Sequence, residues 1–457
     1  MSISIYDLAS KNLSLLFVDD ESGDEYRLKD LATINFQNGS KKLGFLYLDN
    51  SVVSIRVYWS LMKSNHSAAL ISQNLSDQMK IQLENIYQPS FIFDPTRNLI
   101  SGYRHHHEQV VDIFFNEGEV QQTIHPDIKL LLSTSGTTGS PKFVKLSESN
   151  LTHNAQSIVD YLPINGSDVT PLNLPIYYSY GLSILNSHAI NGGKIICGNN
   201  DVLKNDFWAK CQKLGFTSIA GVPYTYEMLD RIGFGKKNYP SIKYMTQAGG
   251  KLSERLLSKF IGYTETSGIY FFVMYGQTEA TARMSYVPHD LIQSKIGSIG
   301  IPIKDGQFTL DETTGELCYS GPNVYGGYVT DPKDLSVFDS SKLLRTGDIA
   351  RVDSDGYYYI VGRIKRFVKL FGNRINLDEV EELVSKNLKI SVKCAGLNDE
   401  KLIAFLPPHS DPKRVLEFIS KELKIHITGI KCIEVSRWPQ TLNGKVDYNK
   451  LIEEYGN

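Results

Sequence analysis

Long apolar runs are missing from this 457-residue chain. No stretch approaches the roughly 20 apolar residues of a membrane-spanning helix, so no membrane span is expected. The N-terminus, Met1-Ser-Ile-Ser-Ile-Tyr-Asp, lacks the basic start and apolar centre of a secretory signal. Cysteine is scarce: Cys197, Cys211, Cys318, Cys394 and Cys432 are scattered, with no C-x-x-C pair. That excludes a disulfide framework or a cysteine zinc site and points to a reducing, cytoplasmic setting. Charge of one sign is not in excess either, with 48 Lys and Arg against 50 Asp and Glu, a net charge of -2. Nucleic acid and anionic membranes are therefore not expected as partners. The one metal-like tract, His105-His106-His107, stands without a second ligand cluster. Adjacent residues point in different directions on a helix or strand, so the tract reads as a solvated loop. There is no internal repeat and no low-complexity segment.

What is present is ordinary globular material, 41% hydrophobic and 21% charged, in a chain long enough for two or three domains. From about residue 129 to 276, short apolar runs alternate with helix-like segments. Strands are expected at 129–132, 194–197, 217–222, 242–247 and 269–274. Helices are expected at 206–214, 225–232 and 253–261, with another carrying Leu151, Ala155, Ile158, Val159 and Leu162 on one face and capped by Ser147 or Ser149. This rhythm predicts a mostly parallel sheet covered by helices, with ligands at the carboxyl ends of its strands. Between residues 308 and 359 short strands broken by Gly, Pro and Asp suggest an antiparallel β subdomain. The last ninety or so residues read as a separate α+β unit. There Asn376 caps a helix carrying Val380, Leu383 and Val384, with Glu379 as a capping-box partner. The expected class is α/β: a large N-terminal domain of βαβ-layered sheets plus a β subdomain, residues 1–362, a hinge at 363–366, and a small mobile α+β domain at 367–457.

The most informative segment is L-L-L-S-T-S-G-T-T-G-S-P-K, residues 130–142. A buried strand ends in Ser133, Thr134, Ser135, Gly136, Thr137, Thr138, Gly139 and, after Ser140-Pro141, Lys142. Small side chains let backbone N–H groups approach an anion, and hydroxyls and a lysine add donors. The loop is suited to phosphate, but it is not the P-loop, whose second glycine is followed directly by Lys and Ser or Thr. Further along, Tyr275-Gly276-Gln277-Thr278-Glu279 ends another strand with an aromatic, a glycine, a hydroxyl and a carboxylate. Those parts can stack on a base, admit close backbone approach, bond a phosphate and help hold Mg²⁺. Gly249 and Gly250 follow a third strand. Asp348 and Arg363 supply a carboxylate and a guanidinium suited to ribose hydroxyls. Lys445 follows an Asn443-Gly444 turn.

In this order, from about residue 130 to 445, these segments resemble the adenylate-forming ligases: acyl-CoA synthetases, peptide-synthetase adenylation domains and beetle luciferases. The resemblance implies ATP-dependent activation of a small carboxylic acid with Mg²⁺, then transfer to a thiol of CoA or of a carrier protein's phosphopantetheine. It implies that residues 133–142 surround the β- and γ-phosphates, that Gly249 and Gly250 form an adenine shelf, and that Tyr275 stacks on adenine. By the same resemblance Thr278 meets the α-phosphate, Glu279 is the Mg²⁺-associated acid, and Asp348 and Arg363 contact ribose. Lys365 occupies the hinge position, Lys445 bridges carboxylate and phosphate during adenylation, and Gly372 lies beside the incoming thiol.

This chain also departs from the family. In Leu174-Pro-Ile-Tyr-Tyr-Ser-Tyr-Gly181 the histidine that gates the acyl pocket of many acyl-CoA synthetases is replaced by Tyr178. The acid with which many amino-acid-activating members hold the substrate ammonium is absent from this segment, which disfavours α-amino acids. The region before residue 130 is short. Tyr178, Tyr180 and Tyr224 suggest aromatic walls for the acyl pocket. An amino-acid-activating adenylation enzyme and a non-catalytic ATP-binding module remain the alternatives.

Overall fold

The computed structural model describes residues 3–37, 39–118, 120, 122–133, 142–364, 366–371, 373–397, 401–440 and 446–456. The chain forms two compact units, residues 1–307 with 320–344, and residues 308–319 with 345–457.

The first unit is built on three sheets. In the largest, eight strands run in the order Tyr328–Val329, Phe143–Leu146, Leu130–Ser133, Ser67–Ser72, Leu43–Leu48, Phe91–Phe93, Val111–Asn116 and Tyr103–Glu108. Its centre is parallel: Leu43–Leu48 lies between Ser67–Ser72 and Phe91–Phe93, and Ser67–Ser72 pairs in turn with Leu130–Ser133. All six residues of each of the two middle strands are buried, as parallel strands covered on both faces require. The second sheet carries Ser218–Gly221, Tyr244–Gln247 and Tyr270–Tyr275 in parallel, continued by antiparallel Ser285–Tyr286 and Ile301–Pro302. The third sheet has four strands, in the order Val169–Pro171, Lys194–Cys197, Leu16–Asp19 and Glu25–Tyr26. The expected alternation of strands and helices is therefore present, but its strands are shared among three sheets rather than one.

Two helices position the site. Glu148–Tyr161 starts at Ser147, whose hydroxyl accepts from the Asn150 N–H while the Asn150 side chain returns the bond, so the cap is Ser147 and not Ser149. Ser179–Asn191 is buried along almost its whole length, with Tyr180, Leu182 and Leu185 in the main core.

His105, His106 and His107 are not in a loop: they lie on Tyr103–Glu108, the edge strand of the large sheet. Pairing with Val111–Asn116 fixes them there, and alternation along the strand brings His105 Nε2 and His107 Nδ1 to Asp112, at 2.7 and 2.8 Å.

The second unit holds a four-stranded sheet, Gln307–Leu310, Glu316–Ser320, Leu343–Val352 and Tyr358–Arg363, followed by an α+β body around helices Leu377–Leu388 and Pro412–Leu423. Its core gathers Val380, Val384, Leu402, Val415 and Ile419. Most of this sheet falls in the same compact unit as the α+β body. The Asn376 amide donates to the Val361 carbonyl at 3.1 Å, and Gly362 faces the Asn376 side chain too closely for a Cβ. Asn376 caps its helix through the N–H groups of Asp378 and Glu379, without the reciprocal bond expected from Glu379. Among the described residues no helix is long and apolar enough to cross a membrane.

Candidate active site

In the second sheet Gly221 pairs with Gln247 and Gln247 with Val273, so the three parallel strands end at one edge. Tyr275, half-buried, is the last residue of its strand. The Gln247-Ala248-Gly249-Gly250 turn is braced by the buried Gln247 side chain, which donates to the Gly250 carbonyl at 2.8 Å. Gly249 has φ of +83°, and a Cβ there would lie 3.1 Å from Val222 and 3.5 Å from the Tyr178 hydroxyl. A Cβ on Gly250 would lie 3.1 Å from Pro223, the residue before Tyr224 on helix Pro223–Arg231. Tyr178 and the start of helix Pro223–Arg231, which carries Tyr224, thus lie against Gly249 and Gly250.

After Tyr275 the chain folds into a 3-10 turn, Thr278–Ala280. The hydroxyl oxygens of Thr278 and Ser179 lie 3.3 Å apart, placing Thr278 at the N-terminus of Ser179–Asn191. That helix end presents unpaired N–H groups and the positive end of its dipole, an environment that favours anions. Glu279 is half-buried. One of its carboxylate oxygens accepts from the Tyr328 hydroxyl at 2.8 Å, and its main-chain carbonyl accepts from the Tyr325 N–H at 2.9 Å. Burial and then the Glu279 charge hold the Tyr328 phenol well above its ordinary value, so it stays a donor.

Two residues that flank the loop sequence, Ser133 and Lys142, are described. Ser133 pairs with Phe143 across the hairpin, and the Lys142 ammonium lies over the Tyr328 ring, 3.1 Å from its centroid. Lys142, Tyr328 and Glu279 therefore form one contiguous row. Thr134, Ser135, Gly136, Thr137, Thr138 and Gly139 lie outside the described residues, as do Lys365, Gly372 and Lys445. In the second unit Asp348 and Arg363 are cross-strand partners, joined by a 2.8 Å bond from Arg363 Nε, with Asp348 buried and Arg363 largely exposed.

Glu279 fits a hard cation. Its second carboxylate oxygen receives no hydrogen bond among the described residues. Mg²⁺ prefers one or two such oxygens plus substrate phosphates to a full protein cage. The described residues accordingly hold no cluster of three metal-ligating side chains.

Tyr180 is less a pocket wall than a core residue. It is buried, and its hydroxyl donates to the Thr246 carbonyl at 3.0 Å. Three functional-looking residues escaped the sequence reading. Tyr328 bridges Lys142 and Glu279. Arg283 lies buried with its guanidinium 4.0 Å from the Tyr180 ring centroid. His188 is buried on Ser179–Asn191. Its Nδ1 lies 2.9 Å from the Ile184 carbonyl and donates to it, so Nε2 accepts from the Tyr244 hydroxyl at 2.7 Å. For Arg283 the signal was a lone charge between Ala282 and Met284 in an apolar approach; for His188, a lone imidazole in an apolar helix.

Burial lowers His188 from 6.5 to about 4. The folded protein resists a proton that the unfolded chain accepts, so this contribution to stability is intact above pH 6.5 and lost as pH falls toward 4. His188→Gln should flatten the acid limb of a thermal-midpoint against pH curve, by at most about 3 kcal/mol at its lower end. An unchanged acid limb would remove His188 from that role.

The chain belongs to the AMP-binding enzyme family, whose model matches residues 63–329. It is an adenylate-forming acid–thiol ligase, using ATP to activate a carboxylic acid, releasing pyrophosphate and passing the acyl group to a thiol. Among its relatives is the oxalate–CoA ligase of Arabidopsis thaliana, 29% identical over 354 residues, 72% of this chain and 68% of that protein. The 2-succinylbenzoate–CoA ligase of Bacillus mycoides is 28% identical over 347 residues, 71% of this chain and 70% of that protein. In fold the chain is similar to the O-succinylbenzoate coenzyme A synthetase of Bacillus subtilis in complex with ATP and magnesium ion. The TM-score is 0.76 at 19% identity, over 98% of both chains. ATP-bound MatB from Rhodopseudomonas palustris gives 0.76 at 19% identity over 100% of this chain and 99% of that one.

Proposed function

We propose that the thiol acceptor is CoA and that the site residues divide the work as their chemistry suggests. The CoA-ligase relatives support the acceptor. The row Lys142–Tyr328–Glu279 carries the assignment of roles, because it sets a cation and a carboxylate, one oxygen of which accepts no hydrogen bond among the described residues, beside Thr278 and the end of a buried helix.

A carboxylate cannot acylate a thiol directly, since its leaving group would be oxide. Attack on the α-phosphate makes AMP the leaving group, but two anions must then meet. The residues counter that repulsion: Lys142 and Lys445 bring positive charge, while Thr278 and the N–H groups of the first helical turn from Ser179 offer donors where charge develops. Gly249 and Gly250 leave a flat surface for the base and Tyr275 stacks on it. Asp348 and Arg363 bind ribose. Glu279 would hold Mg²⁺ through its second oxygen, with Tyr328 fixing the carboxylate's orientation. Mg²⁺ supplies charge neutralisation on the phosphates. In the second half-reaction residues 367–457 turn about Lys365, withdrawing Lys445 and bringing Gly372 beside the thiol, where the lack of a side chain leaves room. Tyr178 stands at the mouth of the acyl pocket.

ATP–pyrophosphate exchange over a panel of carboxylic acids tests the first step. Products that form when CoA or a phosphopantetheinylated carrier protein is then offered test the second. Exchange with an acid and a thioester with CoA alone are expected. Thioester on the carrier protein alone would reject the acceptor, and absence of exchange with every acid would reject the enzyme.

A further inference from the structure

Between helix Ser179–Asn191 and the strands starting at Ser218 and Tyr244 lies a small, partly open cavity, lined by Thr170, Ser183, His188, Ser218, Tyr244 and Arg283 among others. Its polar groups are almost all spoken for. Thr170 bonds Ser218 at 2.6 Å, His188 bonds Tyr244, and the Ser183 hydroxyl donates to the Tyr180 carbonyl at 2.7 Å. With His188 held neutral by burial, none of these side chains carries charge.

Arg283 is the exception. It is 3% exposed, and its Nε is buried without a hydrogen-bond partner. Its guanidinium lies against Tyr180 and its charge reaches the Tyr161 hydroxyl, whose proton goes to the Met274 sulfur at 3.0 Å. Among the described residues no carboxylate pairs with it. Asp168, the acid whose charge reaches His188, is already bonded to Lys243 at 2.9 Å. A guanidinium is always charged, and burying one without a counter-ion is costly. The cost is sustained here by backbone held in place around it. Thr281 and Ala282 have φ of 62° and 144°, and the Arg283 carbonyl is clamped by the side-chain amides of Asn323 and Asn154 at 2.8 and 3.1 Å.

We infer that the acid this enzyme activates is a dicarboxylic acid, whose second carboxylate is received by Arg283 while the first meets ATP above the strand ends. The inference rests on the ligase reading of the same site. Arg283's planar fork, 4.0 Å from one aromatic ring centroid, has an Nε–H without a partner, suited to a carboxylate. The strands set the depth. Ser218 and Tyr244, on the cavity wall, are the first residues of strands that end three residues later at Gly221 and Gln247, about 10 Å away at some 3.3 Å per residue.

The test is ATP–pyrophosphate exchange by the full chain with a series of straight-chain dicarboxylic acids, each set beside its monomethyl ester. The wild type should favour the best diacid by about 100-fold or more in kcat/KM, as sites built around a polar group do. Arg283→Gln should reduce that ratio to about 3 or less, mainly by raising KM for the diacid, and Arg283→Lys should restore part of it. Equal use of diacid and ester by the wild type would overturn the inference, and so would a fall of both substrates in parallel in Arg283→Gln, the mark of a purely structural arginine. Exchange with monocarboxylic acids alone would overturn it while leaving the ligase reading standing. Absence of exchange with any acid would overturn both. Should Arg283→Gln fail to fold, the wild-type ratio and Arg283→Lys decide.

Discussion

Replacing Lys445 by alanine is expected to lower adenylate formation by about 100- to 1,000-fold while thioester formation from a supplied acyl-adenylate continues at near the parental rate. The reason is the charge balance of the first step. An incoming carboxylate and a triphosphate repel each other, and the developing charge lies on oxygens between them. Lys142 is drawn toward the Tyr328 ring, which leaves the bridging position to a second lysine. In the second step the adenylate is already formed: the thiol attacks the acyl carbon and AMP departs as a stable phosphate anion, with no triphosphate present and no pyrophosphate to expel, so the same cation has less to stabilise. Pyrophosphate exchange reads the first half-reaction, and single-turnover formation of acyl-CoA from synthetic adenylate reads the second. Equal losses in both would refute this division of labour.

Gly276→Ala is expected to leave less than about 1% of exchange activity and to lower the thermal midpoint by about 5 °C or more. A Cβ on Gly276 would stand 1.6 Å from the Ala282 carbonyl oxygen and 2.6 Å from its carbon, an overlap with main chain that no rotamer change relieves. Nor can the opposing turn retreat easily. Thr281 donates its hydroxyl to the Asn323 carbonyl at 2.6 Å, and Asn323 returns bonds to the carbonyls of Ala280 and Arg283. Any shift would carry Thr278 and Glu279 with it. Gly262→Ala is the control: it lies on an exposed face of helix Glu254–Ser267 with open space around it. There the substitution should be neutral or stabilise by up to about 1 kcal/mol. Equal behaviour of the two variants would contradict the packing at Gly276.

Periodicity made the helices and strands of residues 129–276 legible, because each element's apolar spacing is local. The partition among three sheets was not, since the pairing of Leu130–Ser133 with Ser67–Ser72 joins segments some sixty residues apart and leaves no local trace. The same distinction holds within the site. Glu279 and Lys142 announced themselves by residue type and neighbours, whereas Tyr328, 49 residues beyond Glu279, is visible only once the chain is folded. The histidine tract misled because three like residues carry no period of their own. Its partner strand and Asp112 impose one. Asn376 was readable as a cap, but its amide's second duty, bonding Val361, arises from a neighbouring sheet.

The sulfur inventory has a practical corollary. Cys197, Cys211, Cys318 and Cys394 are buried, and Cys432 is partly so. Burial raises Cys211 to about 11 and Cys432 to about 12, and lifts the other three as well. Reagents that titrate free sulfhydryls attack the ionised form. In a coupled measurement of CoA consumption, the native polypeptide would therefore contribute little chromophore of its own, and the colour lost would report the coenzyme.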